Sequence, residues 1–388
     1  MSNFTFGFSG DDIEIDENEE TSAPSDAQAI TNEGQFIIDP LPSACHSLKE
    51  LVSQLPSHLS YSLRPFTLQT SKHVLRIPCR ELFEIRAQLM IEDPSPGSSH
   101  GPTEALLSGL DNDDIKTNVY EGGFKTWECA SDLAAAAEEW FCKNAGDNLG
   151  PRHIIELGVG TAIPTLVLFA FLLQSWQKQS YYFPPIHFTL CDYNHTVLRL
   201  ATLPNLFLTW LLLKDKKRGG NGGDECIDPQ GDIEVTPATQ ESFIRELEER
   251  NITIFFVSGA WGDQFTKFIA ERAGSIENFA DKSNIGLVTL VMASETIYSP
   301  LTIGIFSKTL MGILRLASKS NNRSELKGVI AEALVAAKRI YFGVGGGVDE
   351  YVKLVENDGG VVNEVSGVAE EGGGIYMSII SAGDAIYE

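Results

Sequence analysis

The feature that most constrains this chain is a regular alternation of short apolar runs with longer helical patterns after residue 110. The strand-like runs recur five times, at His153–Leu157, His187–Asp192, Thr253–Ser258, Leu287–Ser294 and Leu334–Ala337. Segments with helical spacing of apolar residues separate them. Such an alternation is typical of parallel strands joined by right-handed crossover helices. The sequence therefore predicts an α/β fold with a doubly wound, mostly parallel sheet.

Two more apolar runs near the end of the chain complete this predicted sheet. Residues Gly360–Ser366 and Ile375–Ser381 have the pattern of an antiparallel hairpin, which brings the sheet to seven strands. The domain is predicted to span 111–388, with a flexible insertion rich in Gly, Asp and Pro at 216–239. The apolar segment Val197–Leu213 contains Arg199 and a proline, so we expect a buried helix and no membrane span.

The first 110 residues are predicted to form two regions outside this sheet. Residues 1–44 are acidic and lack Lys and Arg, so they cannot bury enough apolar surface to offset their ordering entropy, and we expect disorder. Residues 45–110 are predicted to be a small, mainly helical extension. Its helices are indicated by apolar residues at helical spacing from Leu48 to Leu55 and again within Arg80–Ile91.

The charge and the cysteines restrict the partners and the compartment. The formal net charge is -24, which opposes broad binding to nucleic acid and instead attracts basic proteins. The six cysteines form no CxxC pair, and the histidines show no metal-ligand spacing, so we expect reduced thiols and no metal. The N-terminus lacks the pattern of a signal peptide. These observations favour a cytoplasmic or nuclear protein.

The most informative motif is the turn Glu156-Leu157-Gly158-Val159-Gly160, at the end of the first predicted strand. Its glycines permit a tight turn and a close approach of the backbone to a ligand at a helix N-terminus. Nicotinamide-binding enzymes prefer a small residue where this chain has Ile163. Acids at Glu156 and Asp192, each ending a strand, favour S-adenosylmethionine, with Glu156 at its aminoacyl end and Asp192 at its ribose. A nicotinamide oxidoreductase is a distant alternative.

Two further strand ends contribute to the predicted site. Gly259-Ala260-Trp261 follows the third strand, where an adenine ring would rest beside Trp261. Ser294 ends the fourth strand, and Glu295 and Tyr298 after it would position an acceptor nitrogen. Because Ser299-Pro300 also suits an ordinary helix start, a purely structural role for Glu295 as a helix cap stays open.

Several motifs together resemble the eukaryotic protein-histidine methyltransferases, which belong to the seven-stranded, Rossmann-like S-adenosylmethionine-dependent methyltransferases. The matching segments are Phe4–Phe8, Arg80–Met90, Tyr120–Cys129, Glu156–Gly160, Ser294–Tyr298 and Lys338–Gly346. The resemblance covers nearly the whole chain. It implies methylation of one histidine in a large-subunit ribosomal protein, the universal third protein. It also implies occurrence in cytoplasm and nucleus and a role in ribosome assembly and translation.

The strand ends and the resemblance together predict a set of site residues. Glu295 and Tyr298 would be catalytic. The cofactor-binding residues would be Thr126, Trp127, Glu128, Cys129, Glu156, Gly158, Gly160, Asp192, Asn194, Gly259, Ala260, Trp261 and Ser294. Lysine-directed relatives usually carry Asp-x-x-Tyr where this chain has Glu295-Thr-Ile-Tyr298, which fits the histidine branch better. Two alternatives stay open: a lysine methyltransferase of the same fold, and a non-catalytic acidic chaperone for a basic ribosomal protein.

The expected chemistry makes modest demands on the protein. A neutral imidazole is already a competent nucleophile near pH 7, so alignment of the reactants is the main task of the enzyme. Glu295 or Tyr298 would hold the imidazole through its second nitrogen and select the reacting one. A carboxylate would also help to remove the proton afterwards.

Overall fold

The protein was analysed as a computed structural model, which describes most of the chain after residue 39. The described residues are 40–68, 70, 72–92, 122–144, 150–178, 184–215, 229–280, 287–320, 330–339, 341, 347–365 and 375–382. Of the acidic N-terminus predicted at 1–44, only 40–44 lies in this part, and there β1 already begins at Ala44. The predicted disorder of 1–39 lies outside the described residues.

Eleven strands and ten α-helices make up the described part of the chain. The strands are β1 (Ala44–Ser47), β2 (His58–Thr67), β3 (Val74–Arg80), β4 (Arg152–Leu157), β5 (Ile186–Asp192), β6 (Gln230–Glu234), β7 (Ile252–Ser258), β8 (Val288–Ser294), β9 (Ile330–Lys338), β10 (Gly360–Val365) and β11 (Ile375–Ala382). The helices are α1 (Leu48–Val52), α2 (Leu82–Glu92), α3 (Cys129–Lys143), α4 (Ile163–Lys178), α5 (His195–Val197), α6 (Leu203–Asp215), α7 (Pro237–Glu249), α8 (Asp263–Ala280), α9 (Pro300–Ser320) and α10 (Val348–Asn357). A π-helical turn, Leu198–Thr202, joins α5 to α6.

The central sheet confirms the predicted α/β fold. Its strand order is β1-β7-β5-β4-β8-β9-β11-β10, and the five strands from β7 to β9 are parallel. The hairpin β10–β11 closes one edge in antiparallel pairing, as predicted. On the other edge, β1 adds an eighth strand antiparallel to β7, which the sequence did not reveal.

The register of the parallel strands sets the position of the site. Leu157 of β4 is paired with Cys191 of β5 and with Ala293 of β8, and Cys191 is in turn paired with Val257 of β7. Four strands therefore end level with one another at one edge. The residues that follow them along the chain meet there, which is where ligands bind in open α/β sheets.

Apolar helices cover both faces of the sheet. One buried cluster lies around α3, α4 and α6, and a second lies around α8, α9 and α10. Two helices, His195–Lys214 and Pro300–Ser318, are long and apolar enough to cross a membrane, but 83% and 50% of their apolar windows are buried within the protein. The expectation that Val197–Leu213 is a buried helix is confirmed.

The prediction of a mainly helical extension at 45–110 is wrong for its described part. Besides α1 and α2 it contains β1, β2 and β3, and β2 forms the centre of a small sheet of order β3-β2-β6. Only the first half of β2 alternates buried and half-buried residues, around Leu59 and Tyr61. Its partner β6 comes from more than 160 residues later, and Gly231 packs so closely that an added Cβ would lie 2.8 Å from the Tyr61 hydroxyl. Such a distant pairing leaves no local pattern.

The insertion predicted to be flexible at 216–239 is also partly structured. Residues 230–234 form β6, and α7 begins at Pro237 with a capping box between Thr236 and Thr239. The cap satisfies two backbone N–H groups of the first turn, which favours a helix start there. Flexibility of 216–228 stays a prediction, since these residues lie outside the described part.

Candidate active site

A cavity of about 350 Å³ opens at the edge where the parallel strands end. This volume lies within the range of small-molecule and cofactor sites, roughly 300–1,000 Å³. Most of the residues predicted for the site line it. They are Trp127, Glu156, Gly158, Gly160, Asp192, Gly259, Ala260, Trp261, Ser294, Glu295 and Tyr298.

The glycine turn after β4 has no room for larger residues. Gly158 and Gly160 have φ angles of +70° and +49°, in the left-handed region that favours glycine. A Cβ on Gly158 would lie 2.9 Å from Cγ2 of Thr296, and one on Gly160 would lie 3.0 Å from the carbonyl oxygen of Gly123. Backbone atoms therefore form this wall of the cavity, as a closely bound cofactor requires.

Asp192 joins two of the strand-end loops. Its Oδ2 accepts the Gly160 N–H at 3.0 Å, and its Oδ1 accepts the Asn194 N–H at 3.0 Å. The side chain is nearly buried but lines the cavity. Each carboxylate oxygen has two lone pairs, so a carboxylate at this place can accept hydrogen bonds from more than one donor.

Two predicted cofactor-binding residues do not line the cavity but support residues that do. Asn194 contributes its backbone N–H to Asp192. The Thr126 hydroxyl is hydrogen-bonded at 2.9 Å to the hydroxyl of Thr161, a lining residue of the glycine turn. Both residues stabilise the cofactor end of the cavity without forming its surface.

Glu156 is buried beneath the glycine turn. Its Oε2 accepts the Thr165 N–H at 3.1 Å and also the Thr165 hydroxyl, in the first turn of α4. Burial raises the pKa of Glu156 to about 8, although the hydrogen bonds from Thr165 act in the opposite direction. A cationic group bound in the cavity would favour the ionised form, which is what the aminoacyl end of S-adenosylmethionine offers.

Two lining hydroxyl groups have the character of ligand-binding groups. The hydroxyls of Ser294 and Thr296 are buried and have no hydrogen-bond partner among the described residues. Buried polar groups are nearly always hydrogen-bonded, so a polar ligand in the cavity would satisfy them. The wall of backbone turns, the Asp192 carboxylate and these hydroxyls together fit a nucleoside-containing cofactor.

The residues just before β1 form a lip over one side of the cavity that sequence reasoning missed. The Leu41 carbonyl accepts the Ala260 N–H at 2.9 Å, and the Ser43 hydroxyl donates to the Ala260 carbonyl at 2.9 Å. Gly259 has a φ of +103°, and an added Cβ would lie 2.5 Å from the Pro42 carbonyl oxygen. Position 259 must therefore be a glycine because a segment more than 200 residues earlier in the chain packs against it. No local sequence pattern indicates this contact.

The predicted adenine end is formed by Trp261. Its ring lines the cavity and packs against Phe306 of α9, with the centroids 5.1 Å apart. Trp127 also lines the cavity, and its indole N–H donates to the Gly122 carbonyl at 3.0 Å. Each aromatic ring is therefore positioned by a contact within the protein.

At the other end of the cavity, Glu295 is held rigidly. Its backbone has a φ of +56°, which is strained for a non-glycine residue, and its N–H donates to the Ala336 carbonyl at 2.9 Å. The side chain is 7% exposed; Oε1 accepts the Cys129 N–H at 3.4 Å, and Oε2 accepts the Tyr341 hydroxyl. These side-chain bonds run to the first residue of α3 and to Tyr341, so the carboxylate contacts the start of α3 instead of capping α9, the helix that follows it in the chain.

Tyr341 is a site residue that sequence reasoning did not single out. Its hydroxyl accepts the Lys338 N–H at 3.2 Å and donates to Glu295, so it bridges the end of β9 to the carboxylate. Its ring lies edge-on to the ring of Tyr298, with the centroids 6.4 Å apart. Burial raises the pKa of Tyr341, which keeps the hydroxyl protonated as a donor. The only signal in the sequence was its position inside the Lys338–Gly346 segment of the resemblance.

The two remaining predicted cofactor residues, Cys129 and Glu128, lie near Glu295 but do not line the cavity. Cys129 takes part through its backbone N–H, and burial raises the pKa of its thiol, so the thiol stays neutral. Glu128 is exposed and forms an ion pair of 3.1 Å with Lys338. Within the described ranges, no three His, Cys, Asp or Glu side chains are grouped so as to hold a metal ion.

Several curated proteins that resemble this chain in sequence share the same name. No protein-family model matches the chain. Histidine protein methyltransferase 1 of Saccharomyces cerevisiae is 29% identical over 379 residues, which cover 91% of this chain and 90% of that protein. The protein of the same name from Schizosaccharomyces pombe is 33% identical over 319 residues, covering 81% and 78%. A homologue of it from Rattus norvegicus is 27% identical over 327 residues, covering 80% and 73%.

Proposed function

Because the chain belongs to the histidine protein methyltransferase 1 family and is a protein-histidine methyltransferase, we propose that its cavity binds S-adenosylmethionine and the acceptor imidazole side by side. The observation that carries this proposal is the single cavity that joins the glycine turn and Asp192 to the buried carboxylate of Glu295. One end is suited to a nucleoside, and the other is suited to a nitrogen base.

At the cofactor end, the chain supplies binding and orientation. S-adenosylmethionine, when bound, supplies a methyl group on a positively charged sulfur. Asp192 accepts hydrogen bonds from the ribose hydroxyls, and Glu156 interacts with the aminoacyl end. The ring of Trp261 packs beside the adenine. Fixed groups of this kind align the methyl group without reorganisation during the reaction, which contributes several kcal/mol of rate acceleration.

At the acceptor end, Glu295 selects the reacting nitrogen. Its carboxylate is fixed by Cys129 and Tyr341 and accepts the N–H of the imidazole, so the lone pair of the other ring nitrogen points to the methyl group. In the transfer, the N–CH3 bond would form as the S–CH3 bond breaks, and neutral S-adenosylhomocysteine would leave. The same carboxylate would stabilise the cationic ring until its N–H proton leaves to solvent. Tyr298 borders the acceptor.

The proposed acceptor is a large-subunit ribosomal protein, the universal third protein. Ribosomal proteins are basic, and the net charge of -24 on this chain attracts a basic partner and disfavours direct binding to nucleic acid. The family resemblance supports the same substrate and a role in ribosome assembly and translation. Reduced cysteines and the resemblance support action in the cytoplasm and nucleus.

The proposal is tested by incubating purified protein and methyl-labelled S-adenosylmethionine with extract from cells that lack the enzyme. Mass spectrometry of the labelled band then identifies the modified residue, and an Asp192→Ala variant is the inactive control. One methylhistidine in a large-subunit ribosomal protein is the expected result. A methylhistidine in a different protein would contradict the proposed substrate, and a methyllysine would contradict histidine as the acceptor residue. Absence of both label and cofactor binding would favour the non-catalytic chaperone.

A further inference from the structure

An apolar surface borders the mouth of the cavity on the first turns of α9. We call Leu301, Gly304 and Ile305 the apolar rim. The Leu301 side chain is 79% exposed and Ile305 is 41% exposed, and both line the cavity. They lie one helical turn apart and so face the same direction. The opposite face of the same turns, at Ile303 and Phe306, is completely buried.

The two exposed apolar side chains lie together at the cavity end of this helix face, and Leu316, the other exposed apolar side chain on it, lies near the far end of the helix. The next exposed position along the face is Lys308, which is ordinary for a surface helix. A Cβ added to Gly304 would meet no atom within 4 Å outside its chain neighbours, so a gap that could hold a larger side chain lies at this position of the rim. Large apolar side chains clustered in solvent beside a cavity usually mark a binding surface.

We infer that the apolar rim binds an apolar side chain next to the acceptor histidine in the protein substrate. This inference rests on the proposed function, because an imidazole that reaches Glu295 through the mouth brings the neighbouring residues of its chain against α9. The net acidic charge attracts basic proteins at long range but does not choose among their histidines. Burial of one aliphatic or aromatic side chain on Leu301 and Ile305 provides that local selection.

The experiment fills the space in the apolar rim. Gly304→Leu occupies the gap, and Gly274→Leu on α8 is the matched control, since Gly274 is also helical and also has no atom within 4 Å of an added Cβ. Calorimetry measures the affinity of each variant for S-adenosylmethionine. The initial rate of histidine labelling is measured with subsaturating amounts of extract from cells that lack the enzyme. Thermal unfolding checks that both variants fold.

We expect Gly304→Leu to lower the labelling rate about tenfold, the effect of losing one buried aliphatic contact, with unchanged cofactor affinity. Gly274→Leu should match the unchanged protein. An unaltered labelling rate in Gly304→Leu would overturn the inference. A parallel loss of cofactor affinity would also overturn it, because that result would mean that the rim contacts the cofactor. If the unchanged protein labels no histidine, the proposed function itself fails.

A second measurement tests the chemistry of the neighbouring residue. Once the labelled histidine is located, its flanking apolar residues in the acceptor protein are replaced by Ser, one at a time. At least one replacement should lower the rate for the unchanged protein about tenfold and have little further effect on Gly304→Leu. An acceptor histidine with only polar neighbours, or replacements without effect, would contradict the inference.

Discussion

The two ends of the cavity are held together by different kinds of contact. At the cofactor end, backbone turns at Gly158 and Gly160 pack against neighbouring loops, and one carboxylate, Asp192, binds two backbone N–H groups. At the acceptor end, a single strained residue, Glu295, is held by groups 166 residues before it and 46 residues after it. We therefore expect substitutions at the cofactor end to weaken cofactor binding, and substitutions at the acceptor end to lower turnover by misaligning the acceptor. Each region should thus affect one of the two measured quantities more than the other.

The largest expected effect is at the cofactor end. Asp192→Ala removes the acceptor for the ribose hydroxyls and leaves the N–H groups of Gly160 and Asn194 without their carboxylate partner. Affinity for S-adenosylmethionine, measured by calorimetry, should fall about 100-fold, since hydrogen bonds to charged groups are among the strongest in proteins. Asp349→Ala, at an exposed position of α10, is the control and should bind normally. Normal affinity in Asp192→Ala would remove the distinction between the two ends.

An intermediate effect is expected at the acceptor end. Tyr341→Phe removes the hydroxyl that holds Glu295 and should lower kcat about tenfold, with cofactor affinity unchanged. Glu295→Gln should lower kcat at least as much. Because Tyr341 acts through Glu295, the double variant should be little worse than Glu295→Gln alone.

The control for this cycle is Tyr351→Phe. The Tyr351 hydroxyl is buried and has no hydrogen-bond partner among the described residues, so its removal costs no hydrogen bond. Rapid-mixing kinetics at saturating cofactor measure kcat for all variants. Strictly additive losses, or loss of cofactor binding in Tyr341→Phe, would mean that Tyr341 supports the fold of the whole cavity instead of the position of one carboxylate.

The smallest effect concerns the pH dependence of stability. Folding raises the pKa of Glu156 from 4.5 to about 8, so the folded state holds one more proton than the unfolded state between these values. The resulting stabilisation is complete below pH 4.5 and is lost as the pH rises to about 8. The Tm of the cofactor-free protein minus that of Glu156→Gln should therefore decrease by a few degrees, on the order of 3 °C, from pH 5 to pH 9. A difference that stays constant or grows with pH would show that Glu156 is already ionised when folded.

The sequence predicted which residues meet at the proposed cofactor end because the pattern that marks them is local. Glycines and acids directly follow apolar strands, and the register of parallel strands then brings Gly158, Asp192 and Gly259 to one edge. No knowledge of distant packing was needed for these positions. Their assignment as cofactor ligands stays a prediction, which the binding measurements above test.

The acceptor end and the lip were less accessible to sequence reasoning because they depend on distant segments. Tyr341 meets Glu295 only because β9 pairs with β8, which places the end of β9 beside Glu295. The residues before β1 reach Ala260 only because β1 adds to the edge of the sheet. The small sheet of β2, β3 and β6 was missed for the same reason, since its strands pair across a long separation.

The most direct test of this two-ended cavity is a crystal structure of the protein with S-adenosylhomocysteine, the product of methyl transfer. The account predicts that the ribose hydroxyls bind the Asp192 carboxylate and that the sulfur faces the space bordered by Glu295 and Tyr298. A ribose bound away from Asp192, or a sulfur directed away from Glu295, would contradict it.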